Sequence, residues 1–308
     1  MLAGALEGKN HACVEGLPCK LTVWRSFCQK SYPCLQTFKS KTVEDPDFDP
    51  ELALAVWQDD APEAIAMAVC RNEADGLAAG FKFFGVAENR LRQGLMTSLF
   101  NTLEERLKER GVSNVGIGFT RPNYITAGLD PRYTPAASFL MRRGYQKGGD
   151  VFNMDVDLTA SDFSTDVLEN KLLQGGITVR GLLPEEDSLL ERAFEVCGSS
   201  EGWRYQVRTA FRQSPPAVIV AFQNDDPIAF ACFDGVRPGW FGPMATAQSA
   251  RGEGIGTATY LKCLQMMKER GYNTCVINAV GPLPFYARTS AAVVSRVFWL
   301  FSKQLVPW

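Results

Sequence analysis

The chain has 308 residues, 46% hydrophobic and 21% charged, with 32 Lys+Arg against 34 Asp+Glu for a formal net charge of -2. That balance supplies apolar cores for two domains of ordinary size and excludes wholesale disorder. A chain so near neutral lacks the global positive field of a nucleic-acid binder. No apolar run of about 18 residues occurs, and the N-terminus has no basic stretch leading into an apolar one, so neither a membrane span nor a secretory leader is expected. The nine cysteines are scattered without a CxxC and read as reduced thiols in a cytosol-like compartment, giving a cytoplasmic expectation. The single histidine, His11, argues against a zinc site and against Ser-His-Asp or Cys-His catalysis, so no metal is expected.

In chain order, Gly80–Val86 reads as a strand, and Gly94–Gly111 as a helix ending in KERG before an apolar run to Ile117. Phe152–Leu158 alternates like a half-buried strand. The polar stretch from Leu158 to Gly175 holds one short amphipathic run and marks a seam, giving modules 1–158 and 175–308. A strand restarts near Ile177, and Pro184 with Glu185, Glu186 and Asp187 puts proline and acids in a helix's first turn. Ala217–Phe222 and Ile228–Phe233, separated by Asn-Asp-Asp-Pro and followed by Asp234-Gly235, read as a hairpin meander. Trp240–Thr246 is the next strand, and a glycine turn then opens a helix that stops at Gly271 before a strand ending at Ile277.

The last three elements repeat the first three. Gly94–Ile117 lies without gaps over Gly254–Ile277 at an offset of 160, sharing a leading glycine, Thr97 with Thr257, and KERG at Lys108–Gly111 and Lys268–Gly271. The fold class is therefore α+β, built of two tandem modules.

The turn Arg251-Gly252-Glu253-Gly254-Ile255-Gly256-Thr257 leaves a strand and opens a helix, where bare amides and the helix dipole make an anion site suited to a pyrophosphate. The phosphate loop GxxxxGK with Ser or Thr is absent. A dinucleotide fingerprint would need glycine where Thr257 stands and an acid where the next strand ends in Ile277-Asn278. A glycine-rich turn that holds nothing is the alternative.

The spacing Arg251-x-x-Gly254-x-Gly256, with Phe285-Tyr286-Ala287-Arg288 downstream, resembles the GNAT superfamily of acyl-CoA-dependent N-acetyltransferases, although Ala287 replaces the usual acid. Asp45–Glu51, Gly128–Tyr145, Trp240–Met244 and Val280–Tyr286 are similar to the tandem type, with two modules in one chain. The resemblance implies two splayed, mainly antiparallel sheets flanked by helices. It further implies acetyl-CoA as cosubstrate, with Met244, Ala245 and Thr246 along the pantetheine arm and residues 251–257 at the pyrophosphate. Tyr286 stands where the family places the acid that protonates the leaving thiolate. The first module departs at each matching place, with Leu91, Met96 and Leu140, so the second is expected to be catalytic.

The general base is not readable. Asp234 is either a relay through water or simply a turn residue. Glu201, Trp203 and Arg204 fall where the family shapes its acceptor pocket, and Tyr124 and Tyr133 are open to a wall or a core role. After Tyr286, TSAAVV replaces the usual glycine-aromatic pair. The expected activity is acetyl transfer to a small primary amine, an amino sugar first, without nucleic acid or membrane. A protein N-terminus or lysine as acceptor, and a non-catalytic acyl-CoA sensor, are the rival readings.

Overall fold

The computed structural model describes residues 35–58, 61–73, 76–118 and 120–305. His11 and the cysteines at 13, 19, 28 and 34 lie outside them. The chain folds as two compact units, one running up to Asp150 and including the chain from Phe298 on, the other Val151–Val297.

In the first unit α1 (Leu35–Lys41) precedes β1 (Ala53–Gln58), β2 (Ala61–Glu73), β3 (Gly76–Val86), α2 (Leu95–Glu109), β4 (Asn114–Ile117) and α3 (Thr134–Arg142). The first three strands pair antiparallel, and β4 runs parallel to β3 with α2 as the crossover that such a pair requires. The core is aromatic at its centre, where Phe81 stacks on Phe100 at 4.1 Å between ring centroids and Tyr145 meets both edge-on.

The second unit contains the end of β5 (Gln146–Asp157), then α4 (Asp166–Gln174), β6 (Ile177–Gly181), α5 (Asp187–Cys197), α6 (Glu201–Phe211), β7 (Val218–Gln223) and β8 (Asp226–Phe233). It continues with β9 (Trp240–Thr246), α7 (Ile255–Glu269), β10 (Thr274–Ile277), α8 (Leu283–Ser290) and the start of β11 (Val293–Gln304). Its strand order is β5-β10-β9-β8-β7-β6, antiparallel throughout except for β9 beside β10. The continuous apolar runs of β7 and β8 are buried along nearly their whole length, as strands covered on both faces must be. Between them Asn224 and Asp225 both take positive φ, the conformation a tight two-residue hairpin turn requires. Of the proline and the three acids expected in the first turn of α5, only Asp187 enters it. The helix starts at Asp187, and Glu186 accepts from the Leu183 amide at 2.8 Å while pairing with Arg180.

The chain crosses between the units inside β5 and returns inside β11. Met154–Asp157 of β5 pair with β10, and Phe301–Gln304 of β11 pair with β4, so a strand written in one repeat finishes the sheet of the other. These boundaries differ from 1–158 and 175–308. Residues 298–305 close the first sheet, and the seam belongs to the second unit, whose core takes in Phe163 and Leu172.

Glu104 holds that returning strand. Its carboxylate, nearly sealed from solvent, accepts from Tyr145 at 3.0 Å, Arg143 at 3.0 Å and Lys303 at 2.7 Å. Glu104→Leu strips the partner from two cations and lowers stability by about 3 kcal/mol, read as a lower denaturant midpoint. A midpoint equal to that of the unsubstituted protein would show that the network contributes nothing.

Candidate active site

The two repeats open in the same register. Phe81 pairs with Ile117 in the first unit and Phe241 with Ile277 in the second, in each case the last partners of the parallel pair. Past this point β9 continues to Thr246 while β10 has ended. Asn278 still donates to Phe241 at 3.4 Å, but Ala279 turns through positive φ and donates to the Asn153 side chain at 3.1 Å. Val280 then donates to Phe152 at 2.8 Å. The chain thus follows β5 and leaves β9 with an open edge.

Which groups face that edge follows from strand periodicity. The Ala247 amide bonds Ile228 across β8 at 2.9 Å, and Ala245 lies opposite Phe230 in the same register. Main-chain groups alternate sides with period two, so those of Met244 and Thr246 point away from β8 into the split. The Thr246 carbonyl is taken by Arg251 Nε at 3.2 Å, while Ala245 faces β8.

At the mouth of the split lies the glycine turn. Gly252 and Gly254 take φ of 92° and 87°, and Gly254 is the N-cap of α7 with no side chain bonding its first amides. The free N–H groups of that first turn, with the dipole behind them, form an anion site. Glu253 is exposed, Ile255 is buried in the core and Thr257 is partly buried. Gly256 is the residue whose size matters most. A Cβ there would stand 3.3 Å from Thr246 Oγ1 and 3.5 Å from Met244 Cε, so any longer side chain would fill the split.

Tyr286 marks the closed end. Its ring meets Phe241 edge-on at 6.1 Å between centroids and Tyr260 at 5.2 Å. Burial pushes its phenol far above the ordinary tyrosine value, so it stays protonated. The hydroxyl makes no hydrogen bond to any described residue, and it is not one of the sealed polar atoms. Phe241 and Thr246 stand five positions apart on β9, about 17 Å of extended chain between tyrosine and turn. Sequence reasoning missed the support beneath α8. Tyr260 donates to Ser290 Oγ at 2.7 Å, and Ser290 donates to the Tyr286 carbonyl at 3.1 Å. Ser290 sits in the TSAAVV stretch, whose one visible signal was a hydroxyl at helical spacing from Tyr286.

Asp234 is not at the mouth. Its carboxylate accepts from the Gly239 amide at 2.7 Å and from Tyr272 at 3.1 Å, with Arg270 4.0 Å away, and burial raises its pKa. One oxygen thereby closes the β8–β9 connection, as the turn reading of Asp-Gly requires, and the other ties it to Tyr272 in the segment between α7 and β10. Trp203 on α6 is 42% exposed, and Arg204 beside it donates to Ser199 at 3.3 Å. Glu201 begins the same helix. Tyr124 is buried in the first unit, and Tyr133 is half exposed.

The first unit keeps the glycine cap but fills the split. Gly94 has φ 82°, and Met96, at the place of Gly256, is buried in the core against which Phe84 and Val86 pack. Leu140 is fully buried and Leu91 is 47% exposed. At the place of Gly242 stands Lys82, which is buried in an ion pair with Asp45 and donates to the Asn123 carbonyl at 2.8 Å. Asp45 was visible in the sequence only as part of a motif, and its partner, 37 residues away, carried no signal.

Known proteins carry the same architecture. The model of the acetyltransferase (GNAT) family matches residues 22–129 and 184–288, more than half the chain. A solved fungal multi-domain GH3 β-N-acetylglucosaminidase, described as having a GCN5-related glucosamine N-acetyltransferase region, superposes with TM-score 0.73 at 17% identity. That match covers 91% of this chain and 36% of the fungal one, so the chain spans about a third of that relative's length. A GCN5-related N-acetyltransferase from Sphaerobacter thermophilus gives TM-score 0.58 at 19% identity, covering 85% of this chain and 84% of that one. A tandem GNAT protein from the clavulanic acid biosynthesis pathway gives 0.57 at 14%, covering 83% of each. No curated protein matches the chain in sequence. At these identities the structural likeness is one of fold, while the twofold family match concerns the sequence itself. No helix among the described residues is long and apolar enough to cross a membrane. Two matched repeats, each with a split parallel pair and a glycine-capped crossover helix, place the chain in the GNAT family of acetyltransferases, as an acyltransferase of tandem type.

Proposed function

We propose that the second unit transfers an acetyl group from acetyl-CoA to a small primary amine, an amino sugar being the acceptor class. The single observation that carries this reading is the open edge of β9 between a glycine turn whose first helical amides no side chain caps and the buried Tyr286. Amides of the 251–257 turn, with Arg251 beside them, hold the pyrophosphate, and the glycines let it approach the backbone. Main-chain groups of Met244 and Thr246 hold the pantetheine arm by strand-like hydrogen bonds, and Ala245 keeps that strand in register on β8. Glu253, Ile255 and Thr257 complete the turn without side-chain chemistry.

The neutral amine attacks the thioester carbonyl, forming the C–N bond as the C–S bond breaks. The electron pair leaves with sulfur, and Tyr286 Oη supplies the proton to it, acting as general acid. The amine's surplus proton passes to water, and a proton from solvent restores the phenol. Asp234 enters this reading as the anchor of the β8–β9 connection, which fixes the start of β9. Support for an amino-sugar acceptor comes from the glucosamine N-acetyltransferase description of the fungal relative. The buried thiols Cys232, Cys263 and Cys275 suit a reducing compartment such as the cytoplasm.

Incubation with acetyl-CoA and a panel of amines, following free thiol, tests the reading. Glucosamine is expected to release thiol stoichiometrically with acetylated product. Tight CoA binding with no thiol release from any amine would overturn transfer and leave a sensor.

A further inference from the structure

Strand β5 brings into the second unit a carboxylate that no described residue neutralises. Five carboxylates of that unit are not fully exposed, and four of them have a cation at 4.0 Å or closer. Glu169 has Lys262, Glu186 has Arg180, Glu191 has Arg208 and Asp234 has Arg270. The fifth is Asp155. Ser295 donates to its Oδ1 at 2.6 Å, while Oδ2 meets no donor and no cation among the described residues and is not sealed from solvent. Partial burial of a charge without a countercharge costs stability, so the position suits a cation supplied from outside.

Register says where that cation would sit. Asp155 lies opposite Val276, and Met154 lies opposite Ile277, the last residue of β10. Ile277 is in turn paired with Phe241, whose ring meets Tyr286. Side chains alternate along a strand and paired residues share a face, so Asp155 and Asn153 project to the face opposite Tyr286. Neighbouring strands stand about 5 Å apart, which puts β5 one strand width from the closed end of the split. Asn153, 2% exposed, accepts from the Ala279 amide at 3.1 Å, so its carboxamide stands where β10 leaves β9. Its Nδ2 donates to no described residue and is not sealed either.

We infer that Asp155 seats the amino group of the acceptor, with Asn153 donating to a hydroxyl on the same molecule. The inference rests on the transfer reading of the second unit, because a thioester held in the split is open to attack through the gap from that face. A carboxylate accepts from the N–H of an amine before and after the amine loses its proton. It also stabilises the positive charge that nitrogen gains as the C–N bond forms. Same-face neighbours on a strand stand about 7 Å apart, a span that one small ring bearing an amine and a hydroxyl bridges. No motif pointed to this pair, because both residues are written at the end of the first repeat, which lacks the second glycine and the tyrosine.

Steady-state kinetics with glucosamine, following free thiol, and calorimetry with CoA test it. Asp155→Asn, close in shape and uncharged, raises the KM for glucosamine about tenfold and leaves the affinity for CoA unaltered. Asp155→Glu, which keeps the charge, restores part of that loss. Ser295→Ala, which removes the tether and keeps the carboxylate, raises the KM less. A KM unchanged in Asp155→Asn, or raised as much by Ser295→Ala, overturns the assignment and leaves the transfer reading standing. Loss of CoA affinity in both Asp155 variants also overturns it, by making the residue a structural one. An unsubstituted protein that releases no thiol with any amine overturns both readings.

Discussion

Gly256→Trp abolishes CoA binding. In calorimetry the unsubstituted protein binds CoA, and the variant loses at least about a hundredfold in affinity; in parallel, the ligand-induced rise in melting temperature disappears. The reason is local. The Cβ vector at 256 points at Thr246 and Met244, so an indole there occupies the open edge of β9 that the pantetheine needs. Gly256→Ala keeps the fold and costs about tenfold, because the new methyl demands a few tenths of an ångström from the Thr246 hydroxyl and sits in contact with Met244. Met96→Phe, in the unit whose split is already filled, leaves the melting shift intact. If the Met96 variant alone loses the shift, the roles of the two units are reversed.

Tyr286→Phe lowers kcat about a hundredfold, within the range a positioned general acid contributes, and leaves the affinity for CoA unaltered. The ring contacts with Phe241 and Tyr260 survive that change, so only the proton is removed. Burial raises the phenol's pKa, and the acid is therefore present at every pH below its raised value. The unsubstituted enzyme accordingly shows no alkaline fall in kcat from this group up to about pH 10, where an ordinary tyrosine would titrate. Turnover equal in both forms would remove Tyr286 from the chemistry.

The gapless 160-residue offset made the repeat legible, and with it both crossover helices, their glycine caps and even the shared register at which β4 and β10 run out. Strand periodicity and KERG are local signals, so they survive without any knowledge of the fold. Partner choice is not local. Nothing in Val293–Gln304 says that its last residues pair with β4, nearly two hundred positions back, because an alternating strand suits either sheet. The same holds for the filled split of the first unit. Met96 announced it as a glycine lost, but the burial of Lys82 with Asp45 is set by tertiary packing, and a lone lysine in a strand reads as a solvated side chain. Asp-Gly at 234 carried two readings from the sequence, and the bonds to Gly239 and Tyr272 are what favour the turn. The relay from Tyr260 through Ser290 to the Tyr286 carbonyl joins α7 to α8 across 30 residues and was invisible for the same reason.

A crystal structure with CoA tests the central claim most directly. The account predicts both phosphates of the diphosphate within about 3 Å of the main-chain nitrogens that open α7, with the pantetheine running along Met244 and Thr246 toward Tyr286. A diphosphate found against the Gly94 turn, or on neither helix cap in a crystal saturated with CoA, would contradict it.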